Sequence, residues 1–117
     1  MPINSRRKGA EGERELAKVL QDYGYTEAKR GQQFCGVNGN ADVIDALPNI
    51  HIECKRVEKL NIYNAMKQAK RDTKGKLPAV FHRKNREKWL VTMELPDFMQ
   101  IYQIYEERIK DNGNGTT

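Results

Sequence analysis

Glu53 and Lys55 stand two residues apart in the β-rich segment Ile50 to Val57. On a strand, residues so spaced project from one face. An acid and an ammonium therefore lie side by side, while Ile52 and Cys54 point the other way. A second β-rich segment, Ala41 to Ala46, precedes this one across Leu47-Pro48-Asn49, and the pair reads as an antiparallel hairpin. A two-residue turn centred on Pro48 and Asn49 pairs Leu47 with Ile50 and sets Asp42 opposite Lys55, with Glu53 diagonal to Asp42 on the same face. A slip of one residue would send Asp42 to the other face, so the parity of the turn is a requirement. Two hard oxygen donors suit Mg²⁺, which keeps waters, lowers the pKa of one of them and clamps a phosphate. A lysine beside them can orient the attacking water and stabilise charge developing at phosphorus. Judged on spacing alone, the alternative is an ordinary salt bridge on an exposed sheet face, with Asp42 a loop-end residue.

Glu13 lies three and four residues before Leu16 and Ala17, so it heads the apolar stripe of a first helix and points along its inward side. An acid there is unexpected for a purely structural helix. Glu11 and Glu15 face elsewhere and read as solvated charges near a helix start. Cys35, Cys54, His51 and His82 show neither CxxC nor HxxxH spacing, which leaves a structural zinc site without its ligand grouping and favours reduced cytosolic thiols. His82 closes a strand beside Arg83 and reads as a surface histidine.

The elements that must position these residues follow from periodicity and breakers. A polar basic arm, residues 1–7, leads into a helix from about Gly9 to Tyr23, closed by Gly24. A short mixed stretch runs from Tyr25 to Arg30, and Gly31, Gly36 and Gly39 then punctuate a loop before the hairpin. Ile62, Ala65, Met66, Ala69 and Thr73 share one face of a second helix between Asn61 and Lys74, ended by Gly75. Pro78 to His82 and Trp89 to Met93 are two further strands around the charged turn Arg83 to Lys88. A last helix from about Pro96 to Ile109 carries Phe98, Ile101, Tyr102, Tyr105 and Ile109 on one side. Its aromatic stripe reads first as core, and second as a dimer face. Residues 111–117 form a tail expected to be disordered. One domain over 8–110, an α/β or α+β arrangement around a mixed sheet, is the expected architecture.

The chain has 117 residues, 38% of them hydrophobic and 32% charged, enough for one core and not for two. Its formal charge of +5 favours polyanionic partners, because lysine and arginine displace counterions from phosphate backbones. No apolar run approaches the roughly 18 residues that span a bilayer, and the N-terminus lacks a secretion signal. The chain is therefore expected to stay in the cytoplasm where it is made.

Asp42 followed by Glu53-Cys54-Lys55 after an apolar strand resembles the signature of the PD-(D/E)xK nuclease superfamily. The opening Lys8-Gly9-Ala10-Glu11-Gly12-Glu13-Arg14-Glu15-Leu16 is similar to the first helix of archaeal-type Holliday-junction resolvases and their phage-encoded relatives. The likeness runs from about Lys8 to Met93 in element order as well as motif. It implies a restriction-endonuclease-like fold and a Mg²⁺-dependent endonuclease, with Mn²⁺ as a substitute metal. It also implies a catalytic Glu13 beside Asp42, Glu53 and Lys55, these three acids being the metal ligands. Gln68 resembles the glutamine that several branches carry on the following helix, where it positions the nucleophile or the DNA. The resolvase likeness implies a four-way DNA junction as substrate and a homodimer, since two symmetric strands need two active sites. This sequence departs from the pattern in three places. Ala41 stands where many members have proline. Cys54 would offer the metal only its backbone carbonyl, its thiol lying on the opposite, buried face. Gln32-Gln33-Phe34-Cys35 replaces the serine-bearing loop, which bears on junction specificity.

On the second helix Lys67, Lys70, Arg71 and Lys74 form one cationic face, and Arg7, Lys8 and Arg30 add further phosphate-contact candidates. A nuclease of ordinary duplex, flap or single-stranded DNA is the nearest alternative. A noncatalytic DNA-binding module of the same fold and an unrelated RNA-binding protein are the others; the former should have lost at least one of the four site residues, and the latter predicts no metal dependence.

Overall fold

The computed structural model describes residues 2–31 and 41–115, with side chains described over 9–31 and 41–113. In chain order, α1 (Pro2–Asp22), β1 (Lys29–Arg30), β2 (Val43–Ile44) and β3 (Ile50–Arg56) lead to α2 (Ile62–Asp72). They are followed by β4 (Leu77–Arg83), β5 (Leu90–Thr92) and α3 (Leu95–Gly115). Among the described residues the strands form one five-stranded sheet in the order β1-β2-β3-β4-β5. Only β3 and β4 run parallel; the other neighbours are antiparallel. A parallel pair needs a crossover rather than a hairpin, and α2 supplies it. The expected single-domain, mixed-sheet α+β architecture of restriction-endonuclease-like type is the one observed.

Each sheet face has its own apolar layer. Leu16, Ala17 and Leu20 of α1 pack with Val43, Ile52, Cys54, Ala79 and Phe81. On the other face Ala65, Met66 and Ala69 of α2 cover Val80, with Leu60 and Ile62 at the margin. Fully burying side chains such as Leu16 and Ile52 contributes about 1.5–3 kcal/mol each. Strand parity thus sends Ile52 and Cys54 under α1 and leaves Glu53 in register with Val80 beneath α2. α2 is sharply bounded. The Asn61 side chain accepts the Asn64 N–H at 3.1 Å, and at the other end the extended Thr73 still donates its N–H to Ala69.

Four expectations are corrected. α1 begins at Pro2 rather than near Gly9, so the basic stretch read as an arm has helical backbone; Pro2 is tolerated in a first turn, where its missing N–H has no partner to lose. α3 continues to Gly115 through the tail expected to be disordered, because extending a formed helix costs far less than nucleating one. Its aromatic stripe is not core: Phe98, Tyr102 and Tyr105 are exposed. Finally, Lys74 lies past the Thr73 cap and so is not on the α2 face with Lys67, Lys70 and Arg71.

Candidate active site

The hairpin register brings the acids together by a different pairing from the one expected. Val43 pairs with Ile52, which sets Asp42 across from Glu53 rather than across from Lys55. The turn is longer than two residues: Asp45 (φ 59°), Leu47 (φ 37°) and Asn49 (φ 68°) are all left-handed. The Ile50 N–H closes back on the Leu47 carbonyl at 3.1 Å. A shift of two positions preserves side-chain parity, so Asp42 still shares a face with Glu53. The Asp42 N–H bonds the Ile52 carbonyl at 2.9 Å, and its Oδ2 accepts the Cys54 N–H at 2.8 Å. The carboxylate takes the place of the next ladder bond, so main-chain atoms fix its position.

Glu53 is 3% exposed and lies between two nitrogen groups of its own strand. Its Oε2 is 3.6 Å from Lys55 Nζ and its Oε1 is 3.9 Å from His51 Nε2. Lys55 Nζ donates to Gln68 Oε1 at 2.9 Å, so α2 contributes to the site through Gln68. Glu13 comes from α1, is 7% exposed, and accepts a hydrogen bond of 2.8 Å from Arg30 Nε. Two glycines permit these approaches. A Cβ at Gly12 would run into Arg56 Cβ, and one at Gly31 into the Ala41 carbonyl oxygen. The first contact lets α1 cross close to the Lys55 end of β3, and the second keeps the strand bearing Arg30 tight against that leading to Asp42. Glu13, Asp42, Glu53, Lys55 and Gln68 are thereby brought together.

Charge in this cluster is unbalanced. Burial, and then the neighbouring Asp42, push the Glu53 carboxyl up to about 8, with Lys55 opposing. Burial also raises Glu13, with the Arg30 hydrogen bond pulling the other way. Burial pushes the Cys54 thiol far up, in keeping with its expected place in the apolar layer under α1. The sequence reading missed His51, which is 2% exposed and whose Nε2 has no hydrogen-bond partner among the described residues. Burial lowers its pKa. The available signal was parity: His51 precedes Glu53 by two, on the face of Glu53 and Lys55. His82, in register with Lys55 on the neighbouring strand, is only partly exposed and bonds Thr92 Oγ1 through Nε2 at 2.8 Å.

Among the described residues no three of His, Cys, Asp and Glu make a preformed cation cage. The donor set nevertheless fits a hard divalent ion. Asp42 and Glu53 are buried oxygen donors on facing strands, and one ammonium leaves Glu53 favouring protonation, a deficit of positive charge that such an ion would fill. Of the cationic candidates, Arg30 is engaged by Glu13 within the site. Lys70 pairs with Glu94 at 3.1 Å and Arg71 with Asp72 at 4.0 Å, while Lys67 and Lys74 are exposed. The side chains of Arg7 and Lys8, and all of Gln32 to Cys35, lie outside the described residues. Glu15, expected to be a solvated charge, instead bridges Arg56 at 3.5 Å and Arg83 at 3.0 Å. Among the described residues no helix is long and apolar enough to cross a membrane.

No curated protein and no solved structure matches the chain. Residues 4–113 match the family described as "Phage putative PDDEXK endonuclease". That match spans nearly the whole chain, including α1 with Glu13 and the hairpin with Asp42, Glu53 and Lys55; the chain belongs to this family of PD-(D/E)xK nucleases.

Proposed function

We propose that the chain is a divalent-metal-dependent DNA endonuclease that hydrolyses phosphodiester bonds at a site made by Glu13, Asp42, Glu53, Lys55 and Gln68. The observation that carries this reading is the placement of two buried carboxylates, Asp42 and Glu53, across one strand pair, beside a lysine tethered to α2. A divalent ion held by Asp42, Glu53 and the Cys54 carbonyl, Mg²⁺ with Mn²⁺ as substitute, would supply neutralisation of phosphate charge and acidification of water. Lys55 presents its ammonium to the attacking water and to the phosphate oxygens, where charge grows as the bond to phosphorus forms. Gln68 restrains that ammonium from the α2 side. Glu13, braced by Arg30, adds a third acid at the same place and serves as a further ligand or as an acceptor for water. Arg7, Lys8, Lys67, Lys70, Arg71 and Lys74 are assigned to the phosphate backbone, and Arg30 to the rim of the site. The preferred substrate is a four-way junction, cut by two copies of the chain in the cytoplasm during DNA recombination.

The test is cleavage of a labelled four-way junction, a matched linear duplex and a flap, in Mg²⁺ or EDTA, alongside Glu53→Ala and Lys55→Ala. Cutting confined to the junction, and lost with EDTA or either substitution, supports the whole reading. Cutting of all three substrates keeps the site and removes junction selectivity. Binding without cleavage, indifferent to metal, overturns the enzyme in favour of a noncatalytic binding module.

A further inference from the structure

Along α3, Leu95, Phe98, Tyr102, Tyr105 and Ile109 recur at alternating intervals of three and four, the seam spacing of a two-stranded coiled coil. None of the five is covered: they are 68, 48, 39, 58 and 48% exposed. Their rings already form a continuous ridge, with Phe98 to Tyr102 and Tyr102 to Tyr105 centroids each 6.0 Å apart. α1 and α2 pack on the sheet, whereas α3 makes no comparable packing with any described strand or helix. The molecule is 60 Å long and 27 Å across, and a helix of 21 residues accounts for roughly 30 Å of axis.

We propose that this ridge is a self-association surface, on which a second copy of the chain lays its own α3 antiparallel about a two-fold axis near residue 100. The pattern selects both the occupant and the direction. In that alignment Phe98 meets the partner's Tyr102 and Leu95 meets the partner's Tyr105. Beside the seam, Ile101 faces the partner's Ile101, and Glu94, held by Lys70 at 3.1 Å, faces the partner's Arg108. A parallel pairing would instead set Ile101 against the partner's Glu106. Ile109 reaches the start of the partner's α3, beside an apolar groove lined by Ile62, Tyr63, Met66 and Leu95. Nucleic acid is a poor occupant, because α3 carries Asp97, Glu106, Glu107 and Asp111 against only Arg108 and Lys110. At the 150–250 Å² that a fully buried aromatic contributes, the exposed seam offers on the order of 600 Å² per copy. The groove brings this toward the ~800 Å² per partner of a stable interface.

This surface deepens the two-copy part of the function proposed above and does not depend on cleavage, so each can fail alone. Sedimentation of the full chain from about 1 to 200 µM should show a dimer of micromolar order. Ile101→Glu and Tyr102→Glu, doubled at the two-fold, should each weaken it by roughly fiftyfold or more, with unchanged circular dichroism. Arg108→Glu should weaken it on the order of tenfold through two like-charged pairs. Glu107→Ala, on the opposite side of α3, should leave it intact. A wild-type chain that stays monomeric throughout, or a dimer that survives both Ile101→Glu and Tyr102→Glu, overturns the proposal.

Discussion

Replacing Glu53 with glutamine should stabilise the metal-free protein by an amount that grows with pH. In the unfolded chain Glu53 releases its proton near 4.5, whereas in the folded protein burial and Asp42 hold it up to about 8. Between those values the folded state binds more protons than the unfolded state, so wild-type stability falls as pH rises through this window. Glutamine has the same shape and no proton to lose, and its variant lacks that slope. Carried through in full, the difference between 4.5 and about 8 is worth about 5 kcal/mol. Asp42 acts on the same proton, so the shift belongs to the pair, and on the order of 2–3 kcal/mol is expected from replacing Glu53 alone. The assay is urea unfolding with EDTA present, followed by the fluorescence of the single tryptophan, Trp89, which packs at the edge of the core under α1. Near pH 4.5 the two proteins should have similar stability, and at pH 8.5 Glu53→Gln should lead by about 2–3 kcal/mol. Adding Mn²⁺ should then raise the wild type and leave Glu53→Gln almost unmoved. Parallel pH profiles for the two proteins would refute the reasoning, as would equal stabilisation by Mn²⁺.

Lys55→Met should slow cleavage by roughly 10²–10³-fold while leaving Mn²⁺-induced thermal stabilisation in place, which single-turnover assays and melting curves separate. Arg30→Ala removes the hydrogen bond that favours the Glu13 carboxylate, so Glu13 should hold its proton to higher pH; the acid limb of the pH–rate profile should move upward. Gly12→Ala forces a Cβ into Arg56 and should cost about 1–3 kcal/mol of stability by overpacking, with a lowered melting temperature as the readout.

Period-two spacing was enough to put Glu53 and Lys55 on one face and Cys54 on the other, because strand parity is indifferent to everything except the strand itself. The Asp42 pairing was harder. Its register depends on left-handed conformations at Asp45, Leu47 and Asn49, and neither aspartate nor leucine advertises them as glycine would. Parity survived only because the longer turn shifted the ladder by two. The burial of Glu13 was legible from its place on the stripe, whereas its partner Arg30 came from another element and left no local trace. His51 was overlooked because a histidine in an apolar strand looks like core until the strand is placed beside other titratable groups. The α3 stripe showed the opposite limit: an amphipathic pattern says that a face wants covering, and not what covers it.

The two facing acids sit on parts of the sheet with very different staying power. Glu53 belongs to β3, paired along its full length with β4 and covered on both faces. Asp42 adjoins β2, two residues long, whose outer neighbour β1 is equally short. Hydrogen exchange should find this edge opening in small excursions while β3 and β4 stay closed. An ion bridging both acids would act as a clasp, and its apparent affinity would be reduced by the fraction of time the edge is open. Substitutions far from the acids that firm up the β1–β2 edge should therefore tighten ion binding without touching a ligand.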